Sequence, residues 1–152
     1  MQKKATRRGA QVAPLPPGPN VKWSHGPYEA GDCSICHERN DRANPGPLNT
    51  GSVNEQCFSC HEEFQAIMAR KFKHVPAVET CTNCHNPHNA TERKLLGSEM
   101  VDMCTGCHKG IRAQIDTAKV KHDAITKGEK CSNCHNPHAA NVEKLLIQLP
   151  FD

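Results

Sequence analysis

Ten cysteines and ten histidines stand out in this chain of 152 residues. The cysteines fall in five pairs, Cys33 with Cys36, Cys57 with Cys60, Cys81 with Cys84, Cys104 with Cys107 and Cys131 with Cys134. Two residues separate each pair, and a histidine follows at once (His37, His61, His85, His108, His135), so every cysteine belongs to a C-x-x-C-H element. Two thiols at that spacing suit addition across the two vinyl groups of a haem, and the next residue is then tethered beneath the ring to ligate iron. Zinc ribbons also use C-x-x-C pairs, but tetrahedral zinc has no need of a histidine after every second cysteine, and neither has a disulfide framework. The motifs therefore predict five covalently bound haem c groups with five proximal histidines.

The other five histidines are His25, His74, His88, His122 and His138, one per motif. His25, His74 and His122 lie eight, seven and nine residues ahead of a motif, whereas His88 and His138 each sit three residues past a proximal histidine in identical Cys-His-Asn-Pro-His stretches. These positions mark them as distal ligands. Iron with imidazole on both faces is closed to substrate and can still exchange electrons. The count thus points to a carrier, not an enzyme. Methionine is the competing axial ligand: Met68 reads as packing within an amphipathic run, while Met100 and Met103 closely precede the fourth motif.

The motifs start at 33, 57, 81, 104 and 131, and a repeated period means small units stacked on one another. Cys81–His88 matches Cys131–His138, and Glu92-Arg93-Lys94-Leu95-Leu96 matches Glu143-Lys144-Leu145-Leu146 further on. The repeat is therefore a pair of motifs, with units at about 25–61 and 74–108 and an incomplete one at 122–148. The first unit departs from the pattern: Glu38-Arg39-Asn40 and an Asn44-Pro45-Gly46-Pro47 loop replace Asn-Pro-His. Residues 1–20, with Lys3, Lys4, Arg7, Arg8 and four prolines, read as a flexible basic arm, leaving 21–152 as the pentahaem region.

Only six residues are aromatic, 36% are hydrophobic and the mean hydropathy is −0.68, too little apolar surface for a side-chain core. The porphyrins must supply it. The expected fold is mainly short α-helices and loops wrapped around stacked haems, with little or no β-sheet. Glu62 to Lys73 and Lys109 to Lys121 are predicted helices, each ending just before a spare histidine.

The formal charge of +3 rests on four basic residues in the first eight, and haem propionates make the body acidic. Nothing supports nucleic-acid binding. No apolar run has signal-peptide or transmembrane length. Attachment of haem to C-x-x-C-H occurs outside the cytoplasm, so a periplasmic or otherwise extracytoplasmic site is expected, with the export signal not present in this sequence.

On these motifs, above all Cys81 to His108, the chain resembles multihaem c-type cytochromes of the doubled C-x-x-C-H family over about 25–148. By haem count it is similar to small pentahaem periplasmic cytochromes, and also to segments of decahaem proteins that carry electrons across outer membranes. The resemblance implies a multihaem cytochrome c fold and electron transfer between redox partner proteins, such as a quinol-oxidising membrane module and a terminal reductase. It leaves open a haem-bearing subunit of a larger membrane complex, an extracellular cytochrome filament, or a multihaem reductase with one open haem. A likeness to small tetrahaem cytochromes of sulfate reducers implies that His25 pairs with His37, His74 with His85 and His122 with His135. On that analogy His88 falls to His61 and His138 to His108.

Overall fold

A computed structural model describes residues 20–149; the basic arm lies outside them except for Asn20. Backbone structure is sparse, as the composition requires. The chain runs β1 (Trp23–Ser24), α1 (Gly26–Glu29), α2 (Val53–Phe58), α3 (Glu63–Met68), β2 (Phe72–Lys73), α4 (Val75–Glu79), β3 (Asn89–Ala90), α5 (Met100–Cys107), α6 (Lys109–Thr117) and β4 (Ala139–Ala140), with short 3-10 turns between them. Pro27 and Pro76 stand at the starts of α1 and α4, where a missing N–H costs nothing and the fixed φ favours helix entry.

The two expected helices are shorter than their apolar periodicity suggested. The first ends at Met68 because Phe72–Lys73 pairs with Ala139–Ala140, and a strand needs an extended backbone. The second ends at Thr117, followed by an extended Ala118 at ψ 125°.

The only sheet among the described residues consists of two antiparallel two-residue ladders. Trp23 faces Ala90 and Ser24 faces Asn89; Phe72 faces Ala140 and Lys73 faces Ala139. Each ladder ties the start of one unit to the stretch just past Asn-Pro-His in the next. Each continues through a histidine, since the His25 N–H donates to the His88 carbonyl and the His74 N–H to the His138 carbonyl, both at 2.9 Å. Side chains reinforce these joints: Arg70 donates to the Ala139 carbonyl, and Arg93 lies over the Trp23 ring.

The buried hydrophobic residues, Ala90, Ala139 and Ala140, all belong to these ladders, and no large side chain among the described residues is fully buried. Alanine permits close approach of backbones there, while Val75, Val78, Ile111 and Ile147 remain exposed. Such a chain cannot offset its folding entropy with its own side chains.

The three units share one register. His37 bridges Leu48, His85 bridges Leu96 and His135 bridges Leu146, each eleven residues on. Pro47-Leu48 therefore stands where the later units have Leu95-Leu96 and Leu145-Leu146. The Pro/Gly loop of the first unit replaces the 3-10 turn of the later units but keeps the bridge and the carbonyl that meets the motif histidine.

Candidate haem sites

Each of the five motifs closes one helical turn. The N–H of His37, His61, His85, His108 and His135 donates to the carbonyl of its own first cysteine, at 2.9 to 3.0 Å. This i to i−4 bond brings the two sulfurs and the following imidazole onto adjoining faces of one turn. The second motifs sit at or just past the ends of α2 and α5, where Ser52 and Glu99 cap the first amides.

The proximal imidazoles of the leading motifs are aimed by a carbonyl nine residues on. His37 Nδ1 bonds to the Gly46 carbonyl, His85 Nδ1 to that of Lys94 and His135 Nδ1 to that of Lys144, at 2.7 to 2.8 Å. These acceptors lie in left-handed turns, with φ of 79° at Gly46, 58° at Lys94 and 57° at Lys144. A donor bond at Nδ1 fixes the tautomer that leaves Nε2 free to ligate metal. Glycine at 46 signals such a turn in the sequence; the Lys-Leu pairs at 94–95 and 144–145 carry no such signal, and the sequence reading missed them.

Four pairs of imidazoles face each other. His37 lies opposite His88 (6.4 Å between ring centroids, 27° between planes), and His61 opposite His25 (6.2 Å, 20°). His85 lies opposite His138 (6.1 Å, 8°) and His108 opposite His74 (6.2 Å, 18°). Two imidazoles bound at about 2.0 Å to one ion place their centroids about 6 Å apart, so this spacing fits an iron between each pair. Burial first, and then the neighbouring His37 and His25, lower the pKa of His88; burial, His85 and His74 do the same for His138. Both effects favour the neutral, ligating form.

This pairing corrects the one implied by the tetrahaem likeness. His25 faces His61 instead of His37, and His74 faces His108 instead of His85. His88 faces His37 instead of His61, and His138 faces His85 instead of His108. The cause is the ladder at each joint. Its backbone bonds hold His25 beside His88 and His74 beside His138, so each joint delivers two imidazoles to two successive motifs. His25 Nδ1 and His74 Nδ1 complete it by bonding the carbonyls of Pro87 and Pro137. The expected pairing of His122 with His135 is absent: His122 Nδ1 accepts from the Ala124 N–H instead. Of the methionines considered as ligands, Met100 accepts a bond from Ser132 through its sulfur.

The cysteines show how the sites follow one another. Burial, and then the neighbouring Cys60, push the Cys36 thiol up; burial and Cys107 do so for Cys84. Burial and a contact with Cys81 push Cys57 up to about 11, and burial and Cys131 do the same for Cys104. Second cysteines lie near each other within a unit and first cysteines touch between units, so the motifs follow one another in chain order. Asn54 clasps one of these junctions: its Oδ1 accepts from the Cys81 N–H at 2.8 Å while its Nδ2 donates to the Ala77 and Val78 carbonyls. No disulfide joins any of the ten cysteines, and among the described residues no three His, Cys, Asp or Glu side chains converge as a zinc site requires.

Repeated C-x-x-C-H turns, opposed imidazoles and a fold of short helices with almost no sheet define a multihaem c-type cytochrome. The chain belongs to the doubled CXXCH motif family, whose pattern matches residues 25–66, 74–113 and 122–151. It is similar to multiheme cytochrome MtrA of Shewanella baltica (strain OS185), with 32% identity over 93 residues, 58% of this chain and 28% of that protein. The match thus spans less than a third of the relative's length.

Proposed function

We propose that the chain holds five haem c groups in a row and passes electrons along them between redox partner proteins outside the cytoplasm. The cysteine pairs of the five motifs would form the thioether links, with His37, His61, His85, His108 and His135 as proximal ligands. His88, His25, His138 and His74 would serve as distal ligands of the first four sites in that order. Bound there, haem supplies a reversible one-electron iron couple. The four opposed imidazole pairs, His37 with His88, His25 with His61, His85 with His138 and His74 with His108, carry this reading.

The residues contribute ligation and orientation, and no catalytic role falls to them. Paired imidazoles close the first four sites on both faces, which suits a carrier. The likeness to part of a multiheme cytochrome fits a haem-bearing carrier, and a quinol-oxidising module or a terminal reductase is the kind of redox partner it would serve. Among the described residues no helix is long and apolar enough to cross a membrane.

A pyridine haemochrome assay with intact-mass measurement tests the count. Five haems per chain are expected, and fewer than five overturn the reading of five sites.

A further inference from the structure

Hydrogen bonds aim four of the eight opposed imidazoles: His37, His85, His25 and His74 each donate from Nδ1 to a backbone carbonyl. His88 and His138 differ. Their backbone N–H groups donate to Asn86 and Asn136, but among the described residues no hydrogen bond holds either ring. Each carries an aromatic side chain instead. Tyr28 lies against His88 with 4.8 Å between centroids and 35° between planes, and Phe64 lies edge-on to His138 at 4.9 Å and 69°.

Phe64 has a second imidazole neighbour, His61, at 6.2 Å and 75°. The backbone dictates both contacts. The Phe64 N–H donates to the His61 carbonyl at 3.1 Å, which puts the two side chains on one face of a turn. Past α3 the chain then runs along the strand that follows His138: Arg70 donates to the Ala139 carbonyl, the Lys71 N–H to Asn141 Oδ1, and Phe72 pairs with Ala140. Phe64 is thereby held against one imidazole of the second site, where His61 faces His25, and one of the third, where His138 faces His85. Core packing does not account for it. The residue is only half-buried, in a chain whose buried hydrophobic residues are alanines, and Ile111 stands at the same offset from His108.

We infer that Phe64 is a positioning residue shared by the second and third haem sites, its ring fixing the rotation of His138 about the iron bond and bearing on that of His61. This rests on the haem reading above. An imidazole that turns about its bond to iron changes its overlap with the iron d orbitals, and with it the spectrum and potential of the haem. The planes of His85 and His138 lie within 8° of parallel, and those of His61 and His25 within 20°. With no hydrogen bond on the His138 ring, the edge-on contact of Phe64 is what resists its turning. One side chain thus ties the ligand geometry of two successive carriers together.

The test uses the holoprotein with its haem count measured, so that a low count in the parent indicts the haem reading and not Phe64. Phe64→Leu keeps an apolar side chain and removes the ring. It should move the low-spin ferric electron paramagnetic resonance signals of two haems to a higher largest g value and shift the midpoint potentials of the same two. In a Cys57→Ala/Cys60→Ala or a Cys81→Ala/Cys84→Ala background, one responsive haem should remain. Phe64→Tyr restores the ring and should restore the parent signals, whereas Tyr28→Leu should move one haem alone. Stepwise reduction followed by nuclear magnetic resonance reads the contact without any loss of the ring: the Phe64 resonances, assigned by their absence in Phe64→Tyr, should shift with both the second and the third haem. Unaltered signals in Phe64→Leu, a change at one haem only, or the same change in Phe64→Tyr as in Phe64→Leu would overturn the inference. So would Phe64 resonances that respond to one haem alone.

Discussion

The backbone N–H of His25 donates to the carbonyl of His88 at 2.9 Å, yet the two imidazoles serve different motifs: His25 faces His61 and His88 faces His37. One short ladder thereby orients the imidazoles that face two successive motifs. The second ladder repeats this with His74 and His138. A chain with almost no side-chain core fixes its sites through these joints.

The pairing is testable by removing a site and then a ligand. In a Cys33→Ala/Cys36→Ala background, which lacks the first haem, His88→Ala should open no further haem to carbon monoxide, whereas His25→Ala should open one. A new open haem with His88→Ala in that background would assign His88 elsewhere.

Asn54 binds the Cys81 N–H and two carbonyls of α4, joining the second motif to the third. Asn54→Ala should cost about 1–2 kcal/mol by leaving partly buried polar groups unpaired. Thermal unfolding of the holoprotein measures this, and an unchanged Tm would show that the clasp carries no stability.

Lys94 adopts φ 58° and presents the carbonyl that holds His85 Nδ1. A β-branched residue is strained there, so Lys94→Ile should destabilise by about 1–2 kcal/mol and shift the potential of the third haem. Lys94→Gly should leave both within about 1 kcal/mol of the parent, since glycine adopts this conformation freely. Denaturant unfolding and a redox titration read the two effects.

Glu99 caps α5 by accepting from the Val101 and Asp102 amides and pairs with Lys130 of the third unit. Burial pushes its carboxyl up, but Lys130 and the two amides outweigh this and hold it below its ordinary 4.5. A carboxylate with a depressed pKa stabilises the fold above about pH 4.5, and the contribution fades as the pH falls through the folded value. Glu99→Gln should therefore lower Tm by a few degrees at pH 7 and by progressively less below pH 4.5. A gap that stays constant down to pH 3 would show that the carboxylate charge contributes nothing.

The turn of each C-x-x-C-H motif was legible because it is a local device: one turn of helix brings both sulfurs and the imidazole together, and spacing alone reveals it. The distal partners were not legible. His25 is eight residues from Cys33 but is held away from His37 by a ladder to residues 89–90, more than sixty positions on. Proximity in sequence predicts proximity in space only where a local core enforces it, and these units have none. The register of the first unit was hidden for another reason. Gly46 and Pro47 do the work of Lys94 and Leu95, and the equivalence lies in the carbonyl and the bridge that follows, not in side-chain type. The thin sheet was anticipated in amount, but its role in aiming the histidines was not.

The most direct test is an experimental structure of the haem-loaded protein at a resolution that shows axial ligands. The account predicts the first four irons between His37 and His88, His25 and His61, His85 and His138, and His74 and His108, with the haems succeeding one another in chain order. An iron between His25 and His37, or between His74 and His85, would contradict it.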